Sequence, residues 1–316
     1  MKRMKWILAT VVALVLMVGL CVNVGLAAEK TWTIGMSQCN LGEPWRVQMN
    51  KDIELNAAKH PELKVIYKDA QNDALRQVNQ MEELIAAKVD LIIISPKEAA
   101  PLTEPVAKAM DAGIPVIVLD RKVLGDKYTC FIGGDNVKIG RAAGEWAIKT
   151  FKGKANIVEL KGLMTSTPGQ ERHQGFMQAL KGHSGMKIIF NADVQWLEPN
   201  ARKEMSSALA RFPKIDLVYG HNDPAAHGAY VAAQAEGKGR EKTIKFIGID
   251  ALPYEGVRYV QEGILAATFQ YPNGSKEAIN LTLALLKDGK QPPKNVTLGT
   301  VQFTKDNVDQ GGLEIQ

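Results

Sequence analysis

Cysteine is scarce in this chain, with three residues in 316, at Cys21, Cys39 and Cys130. No two of them have the spacing of a metal-ligating pair, and none of His60, His173, His183, His221 and His227 falls in a His-Glu-x-x-His pattern. A zinc site is therefore not indicated. Long apolar runs are lacking too, with one exception. It extends from Trp6 to Cys21 behind Lys2, Arg3 and Lys5, and gives way to Asn23, the small residues Gly25, Ala27 and Ala28, and then Glu29. That run is shorter than the roughly 20 residues a membrane-spanning helix needs. A basic start, an apolar middle and small residues at the end make a secretory signal peptide. We assign residues 1–28 to it, with cleavage near Ala27; Leu20 is too large to precede a lipid-modified Cys21.

A strong excess of either charge is also missing. Removing Lys2, Arg3 and Lys5 lowers the Lys and Arg total from 39 to 36 against 34 Asp and Glu, a net charge near +2. Nothing there calls for nucleic acid or an anionic membrane as partner. No Gly-x-Gly-x-x-Gly follows the first strand-like segment, and no Gly-x-x-x-x-Gly-Lys loop exists, so no nucleotide cofactor is expected. The segment from Gly35 through Ser37 to Cys39 lacks the second glycine of a nucleophile elbow.

What remains is a chain of about 290 residues, longer than one hydrophobic core usually organises, so two lobes are expected. Its apolar content of 46% supplies two cores. Cys39 and Cys130 each lie in or beside an apolar segment and read as buried thiols, with a disulfide as the alternative in an oxidising compartment. Short β-branched runs alternate with helical patterns: Thr31–Ser37, Leu91–Ile94, Val116–Leu119, Ile157–Leu160, Lys187–Phe190, Leu217–Tyr219 and Lys245–Ile249. Leu75, Val78, Met81, Leu84 and Ile85 share one helical face as core packing. The fold class is α/β, with doubly wound parallel sheets. A weak internal echo pairs the stretch from Asp90 with that from Asp216. Each opens a strand, continues into a helix, at Pro101–Ala112 and Pro224–Glu236, and ends its next strand on an aspartate, Asp120 or Asp250. Two similar lobes are the simplest account.

In open parallel sheets ligands bind beyond the carboxyl ends of the strands. Ser37, Ser95, Asp120, Asn222 and Asp250 all sit at such ends. Each alone has a plainer reading as a helix cap, but five in corresponding places point to one shared cleft.

The residues resemble the type I periplasmic binding proteins of the ribose and galactose class over essentially the whole exported chain. The resemblance rests on Ile34-Gly35-Met36-Ser37 with Pro44-Trp45-Arg46, on Ile114 through Arg121, on His221-Asn222-Asp223, and on Ile247 through Asp250. Glu43, Trp45 and Arg46 match the acid, tryptophan and arginine of the galactofuranose-binding members. The resemblance implies ligand contacts from Asp120 and Arg121 in one lobe and from Arg172, Asn222 and Asp250 in the other, with Gln270 at a crossing. It implies lobes of residues 29–135 with 272–299 and 136–271 with 300–316. They would be joined by a three-segment hinge near Gly133–Val137, Gln270–Asn273 and Leu298–Val301. It further implies a periplasmic monomer without catalytic activity or cofactor that hands its ligand to an ABC permease. One departure is Gln170, where ribose binders carry arginine.

The residue types agree on their own terms. Carboxylates accept from neighbouring hydroxyls, guanidiniums donate in pairs, and amides do both, which suits a sugar or polyol. Trp45 and Trp196 offer flat apolar faces for a ring, although Trp196 serves equally well as core. Three competing readings are a receptor for a chemoreceptor or sensor kinase, a glycosidase using paired carboxylates, and a sugar-responsive repressor. The repressor needs a helix-turn-helix where this chain has its export signal.

Overall fold

The computed structural model describes residues 30–316; the signal-peptide assignment lies outside the described residues. Two sheets organise the chain. The first has strand order β11-β5-β4-β3-β1-β2 and is parallel throughout. Its strands are β1 (Trp32–Gln38), β2 (Leu63–Asp69), β3 (Leu91–Ser95), β4 (Val116–Leu119), β5 (Cys130–Gly134) and β11 (Asn295–Leu298). The second has order β13-β12-β10-β9-β8-β6-β7, from β6 (Ala155–Lys161), β7 (Met186–Asp193), β8 (Leu217–Gly220), β9 (Lys245–Asp250), β10 (Ala267–Gln270), β12 (Val301–Thr304) and β13 (Leu313–Glu314).

Helices cover both faces. They are α1 (Pro44–Ala57), α2 (Ala74–Ala86), α3 (Ala99–Asp111), α4 (Asn136–Phe151), α5 (Thr167–Leu180), α6 (Glu198–Arg211), α7 (Asp223–Ala235), the short α8 (Arg258–Gln261) and α9 (Ser275–Leu286). Central strands such as β3 and β4 are apolar and buried on both faces, as parallel strands between helices must be. In the amphipathic helix α2, Met81 and Leu84 are buried, but Leu75 in the first turn is 69% exposed. Gln77 takes the buried place instead, donating to the Ser37 hydroxyl and the Ser95 carbonyl and so tying the ends of β1 and β3 together. Cys39 and Cys130 are both buried free thiols.

The chain passes between the sheets three times: at residue 135 after β5, at 271–274 after β10, and at 299–300 between β11 and β12. The second sheet is not wholly parallel. β10 runs towards these crossings and β12 comes away from them, so the two pair antiparallel, and β13 follows antiparallel to β12. Helices α4 and α5 approach unusually closely. A Cβ on Gly140 would strike the Arg172 carbonyl, and one on Gly175 the Val137 carbonyl. Glycine at both places lets the backbones meet and fixes where Arg172 stands on α5.

Candidate functional site

Where the carboxyl ends of both sheets face each other lies a small cavity. The first lobe lines it with Glu43, Trp45, Arg46, Asp120 and Arg121, and the second with Pro168, Arg172, Trp196, Asn222 and Asp250. Tyr271, from the second crossing, completes the wall.

On the first-lobe side, Arg46 Nη1 lies 2.6 Å from Asp120 Oδ2 and donates to Ser95 Oγ at 2.6 Å, while that hydroxyl donates to Asp120 at 3.2 Å. Arg121 Nε stands 3.7 Å from Asp120 and its Nη1 donates to the Lys97 carbonyl. Burial alone would raise the Asp120 carboxyl, but Arg46 and then Arg121 outweigh it and hold the group below its ordinary value. It is therefore a firm carboxylate. Glu43 accepts from Asn40 Nδ2 at 2.8 Å and sits 3.9 Å from Arg46 Nε. Trp45 lies under the Arg46 guanidinium, 4.9 Å from its ring centre, and donates through Nε1 to the Tyr271 carbonyl at 2.8 Å.

The second lobe is built around Arg172. Its Nε donates to Asn136 Oδ1 at 2.9 Å, its Nη1 donates to the His221 carbonyl, and Asp250 Oδ1 lies 3.7 Å from it. The guanidinium packs against Trp196 at 5.2 Å and Tyr271 at 4.7 Å. Trp196 meets Arg121 of the opposite lobe at 5.5 Å, so the lobes touch through it. Further contacts across the cleft are Lys122 N to Thr167 Oγ1 at 3.0 Å and Lys122 Nζ to Glu171 at 3.4 Å. Asn222 caps α7 through the Ala225 amide and donates to the Trp196 carbonyl. His221 Nε2 is buried 3.0 Å from Glu159, which also lies 2.8 Å from His173 Nδ1, so these histidines brace the lobe from behind.

Asp120 (φ 69°), Trp196 (φ 69°) and Asp250 (φ 124°) have left-handed backbones although none is glycine. Three such residues on one cavity mark it as a place where local strain is retained for position. Among buried side chains, Arg46 Nε, Arg121 Nε and Trp196 Nε1 have no hydrogen-bond partner. Buried donors left in this way carry a cost.

The structure thus brings Glu43, Trp45, Arg46, Asp120, Arg121, Arg172, Trp196, Asn222 and Asp250 together, and separates three others from the cavity. Ser37 is buried beneath it and bonded to Gln77, while Ser95 stands behind Arg46 and Asp120. Ser95 holds two lining side chains in place and Ser37 anchors Gln77, and neither serine lines the cavity. Gln270 ends β10 one residue before Tyr271, and successive side chains point to opposite sides. Tyr271 accordingly faces the cavity, and Gln270 lines a neighbouring space. Pro168 and Tyr271 escaped the sequence reading. For Tyr271 a signal existed, since it is the aromatic residue next to Gln270 at a crossing.

A periplasmic binding protein domain matches residues 34–291. This chain belongs to the periplasmic binding protein family. The ribose import binding protein RbsB of Bacillus subtilis (strain 168) is 31% identical over 70% of both chains. The galactofuranose-binding protein YtfQ of Escherichia coli (strain K12) is 28% identical, covering 90% of this chain and 92% of its own. Among solved structures, the fructose binding periplasmic domain of a hybrid two component system superposes with a TM-score of 0.85. It is 42% identical, over 89% of this chain and 93% of that one.

A second acidic group runs from the cavity wall, at Asp250, into the lobe behind it. Burial drives Asp250 well above its ordinary value, opposed by Arg172 and reinforced by Asp223, Glu255 and Glu43. Glu255 is itself pushed up to about 7, by burial first and then by Glu198. Its folded value exceeds the ordinary 4.5, so the folded protein holds the extra proton. The stabilisation is then full below about pH 4.5 and is lost as pH rises through about 7. At 1.36 kcal/mol per pH unit the loss is on the order of 3 kcal/mol. Calorimetry should therefore find Glu255→Gln melting above the unmodified protein at pH 8 and level with it near pH 4. Equal melting at pH 8 would remove Glu255 from the account.

Proposed function

We propose that this protein is an exported receptor that encloses one neutral monosaccharide or polyol between its lobes and delivers it to an ABC permease. The observation that carries the reading is the lining of the cavity, where three guanidiniums face three carboxyl groups beside two tryptophans and an amide. That set offers paired donors and acceptors to adjacent hydroxyls. The three crossings between the lobes suit opening and closing, and a ligand favours the closed form only by its greater affinity for it. Relatives whose names carry ribose and galactofuranose agree with a sugar as ligand. The ligand-binding residues are the cavity lining, with Ser37 and Ser95 as braces. Asp120 and Asp250 serve as hydroxyl acceptors beside arginine, so a turnover assay on simple glycosides should find no hydrolysis.

A thermal-shift screen over pentoses, hexoses, their furanose forms and polyols tests the reading. A ligand at 100 times its Kd adds about 2.7 kcal/mol of stability; no shift from any member contradicts it. Within such a panel, Trp45→Ala should weaken every sugar that binds by about tenfold, because ring stacking ignores stereochemistry. Glu43→Gln should instead reorder the sugars, because a site that pairs a given hydroxyl rejects analogues lacking it. Calorimetric affinities across the panel separate the two effects.

A second reading has one specific observation in its favour, the 42% identity to a sugar-binding domain of a two component system. In that reading the same closed form is presented to a sensor kinase. Pull-down with the membrane partners, with and without ligand, distinguishes permease from kinase.

A further inference from the structure

The sequence motif His221-Asn222-Asp223 holds one residue that the cavity does not use. Asn222 lines the cavity and caps α7, whereas Asp223 is fully buried and lines no part of it. An acid in the first turn of a helix has a plain reading as a partner for the helix N-terminus. The hydrogen bonds of Asp223 lead elsewhere. Its Oδ1 accepts from the Thr268 hydroxyl on β10 at 2.6 Å, and its Oδ2 accepts from the Ala251 N–H at 2.7 Å. A Cβ on Gly248 of β9 or on Gly256 would overlap the same carboxyl, so two glycines leave the room in which it reaches Ala251.

Asp250 and Ala251 are consecutive and both have left-handed backbones, at φ 124° and φ 53°. Neither is glycine, so such a turn persists only where the surrounding structure over-determines it. The peptide unit between them is gripped at both ends. Its carbonyl, on Asp250, accepts from the Tyr271 N–H at 3.2 Å, and its N–H, on Ala251, donates to Asp223. The Asp250 side chain has no comparable anchor. Among the described residues its carboxyl enters no hydrogen bond, and its ion pair to Arg172 spans 3.7 Å. Its place in the cavity wall is therefore set by the backbone beneath it. Burial pushes the Asp223 carboxyl well above its ordinary value, opposed by the hydrogen bonds from Thr268 and Ala251. What Asp223 supplies to the turn is hydrogen-bond acceptance, not charge.

We propose that Asp223 is a positioning residue for ligand binding: its carboxyl holds the strained Asp250–Ala251 turn and so fixes the Asp250 carboxyl where it meets a ligand hydroxyl. This rests on the sugar-receptor reading of the cavity and deepens it by a residue outside the lining. Asp223 touches no ligand and acts only through Asp250. Asp223→Asn keeps an oxygen for the Ala251 N–H and gains an amide that can donate to the Thr268 oxygen. Asp223→Ala instead leaves that N–H buried and unpaired.

A double-mutant cycle tests the proposal, read by calorimetric titration with the member of the thermal-shift panel that gives the largest shift. Asp223→Ala should weaken binding about tenfold or more in the unmodified protein but by no more than about twofold in an Asp250→Ala background, because residues acting through one contact are not additive. Asp223→Asn should bind within about threefold of the unmodified protein, since it keeps the acceptor. Thr268→Val removes only the second bond of Asp223. It should repeat the pattern with a smaller loss, and it carries the cycle if Asp223→Ala does not fold. A loss of equal size in both backgrounds shows a general structural role and overturns the proposal, as does unchanged affinity in folded Asp223→Ala. Asp223→Asn binding as weakly as Asp223→Ala also overturns it, since charge would then be the requirement. Each of these results leaves the receptor reading intact, because the unmodified protein still binds its sugar. Failure of every member of the panel to bind sinks both readings together.

Discussion

Asp120→Ala should lower ligand affinity by about 100-fold or more, the largest loss from any single truncation in the cavity. The carboxylate neutralises Arg46 at 2.6 Å and faces Arg121 at 3.7 Å. Its removal strands two guanidiniums in a closed, dry space. Breaking one partner out of a buried ion pair costs about 3–5 kcal/mol, and that cost falls on the closed state, in which the guanidiniums are shut away from water. The unliganded protein should therefore remain folded with its cleft shifted towards open, while calorimetry finds binding reduced to the limit of detection. Asp120→Asn keeps the shape but not the charge and should lose nearly as much. Unchanged affinity in both variants would remove Asp120 from the site.

Arg172→Lys should cost about as much affinity as Arg172→Ala, again on the order of 100-fold. A lysine keeps the charge but loses the planar fork. Arg172 uses that fork in three directions at once, towards Asn136, the His221 carbonyl and Asp250, while its faces pack on Trp196 and Tyr271. An ammonium reproduces neither the geometry nor the double stacking. The helix that carries Arg172 is itself fixed by the Gly140 and Gly175 contacts, so little backbone movement is available to compensate. A lysine variant that binds within a few-fold of the unmodified protein would show that charge alone matters at this position.

Much of this site was legible in the sequence for a geometric reason. A parallel sheet delivers the residue at each strand's carboxyl end to the same edge, so Asp120, Asn222 and Asp250 were placed by position alone. What lies one step away was harder to read. Serine at a strand end either faces a ligand or braces a neighbour, and only packing tells which; Ser37 and Ser95 brace. Gln270 and Tyr271 differ by one residue, and the alternation of side chains along a strand reverses their roles. The sequence carries no local sign that α4 and α5 touch, since Gly140 and Gly175 have the look of weak helix positions until the opposing backbone is known. The antiparallel β12 and β13 were missed because they are short, four and two residues, and follow no crossover helix. Leu75 shows the limit of periodicity, which marks a face but not whether its first turn is covered.

The most direct measurement is a crystal structure of the protein with the sugar that gives the largest thermal shift. The account predicts ring density in the cavity between the lobes, with hydroxyl oxygens at hydrogen-bonding distance, about 2.7–3.2 Å, from Asp120, Arg121, Arg172 and Asn222, and with Trp45 or Trp196 against a ring face. A sugar bound outside that cavity, or one inside it that touches only one lobe, contradicts the account.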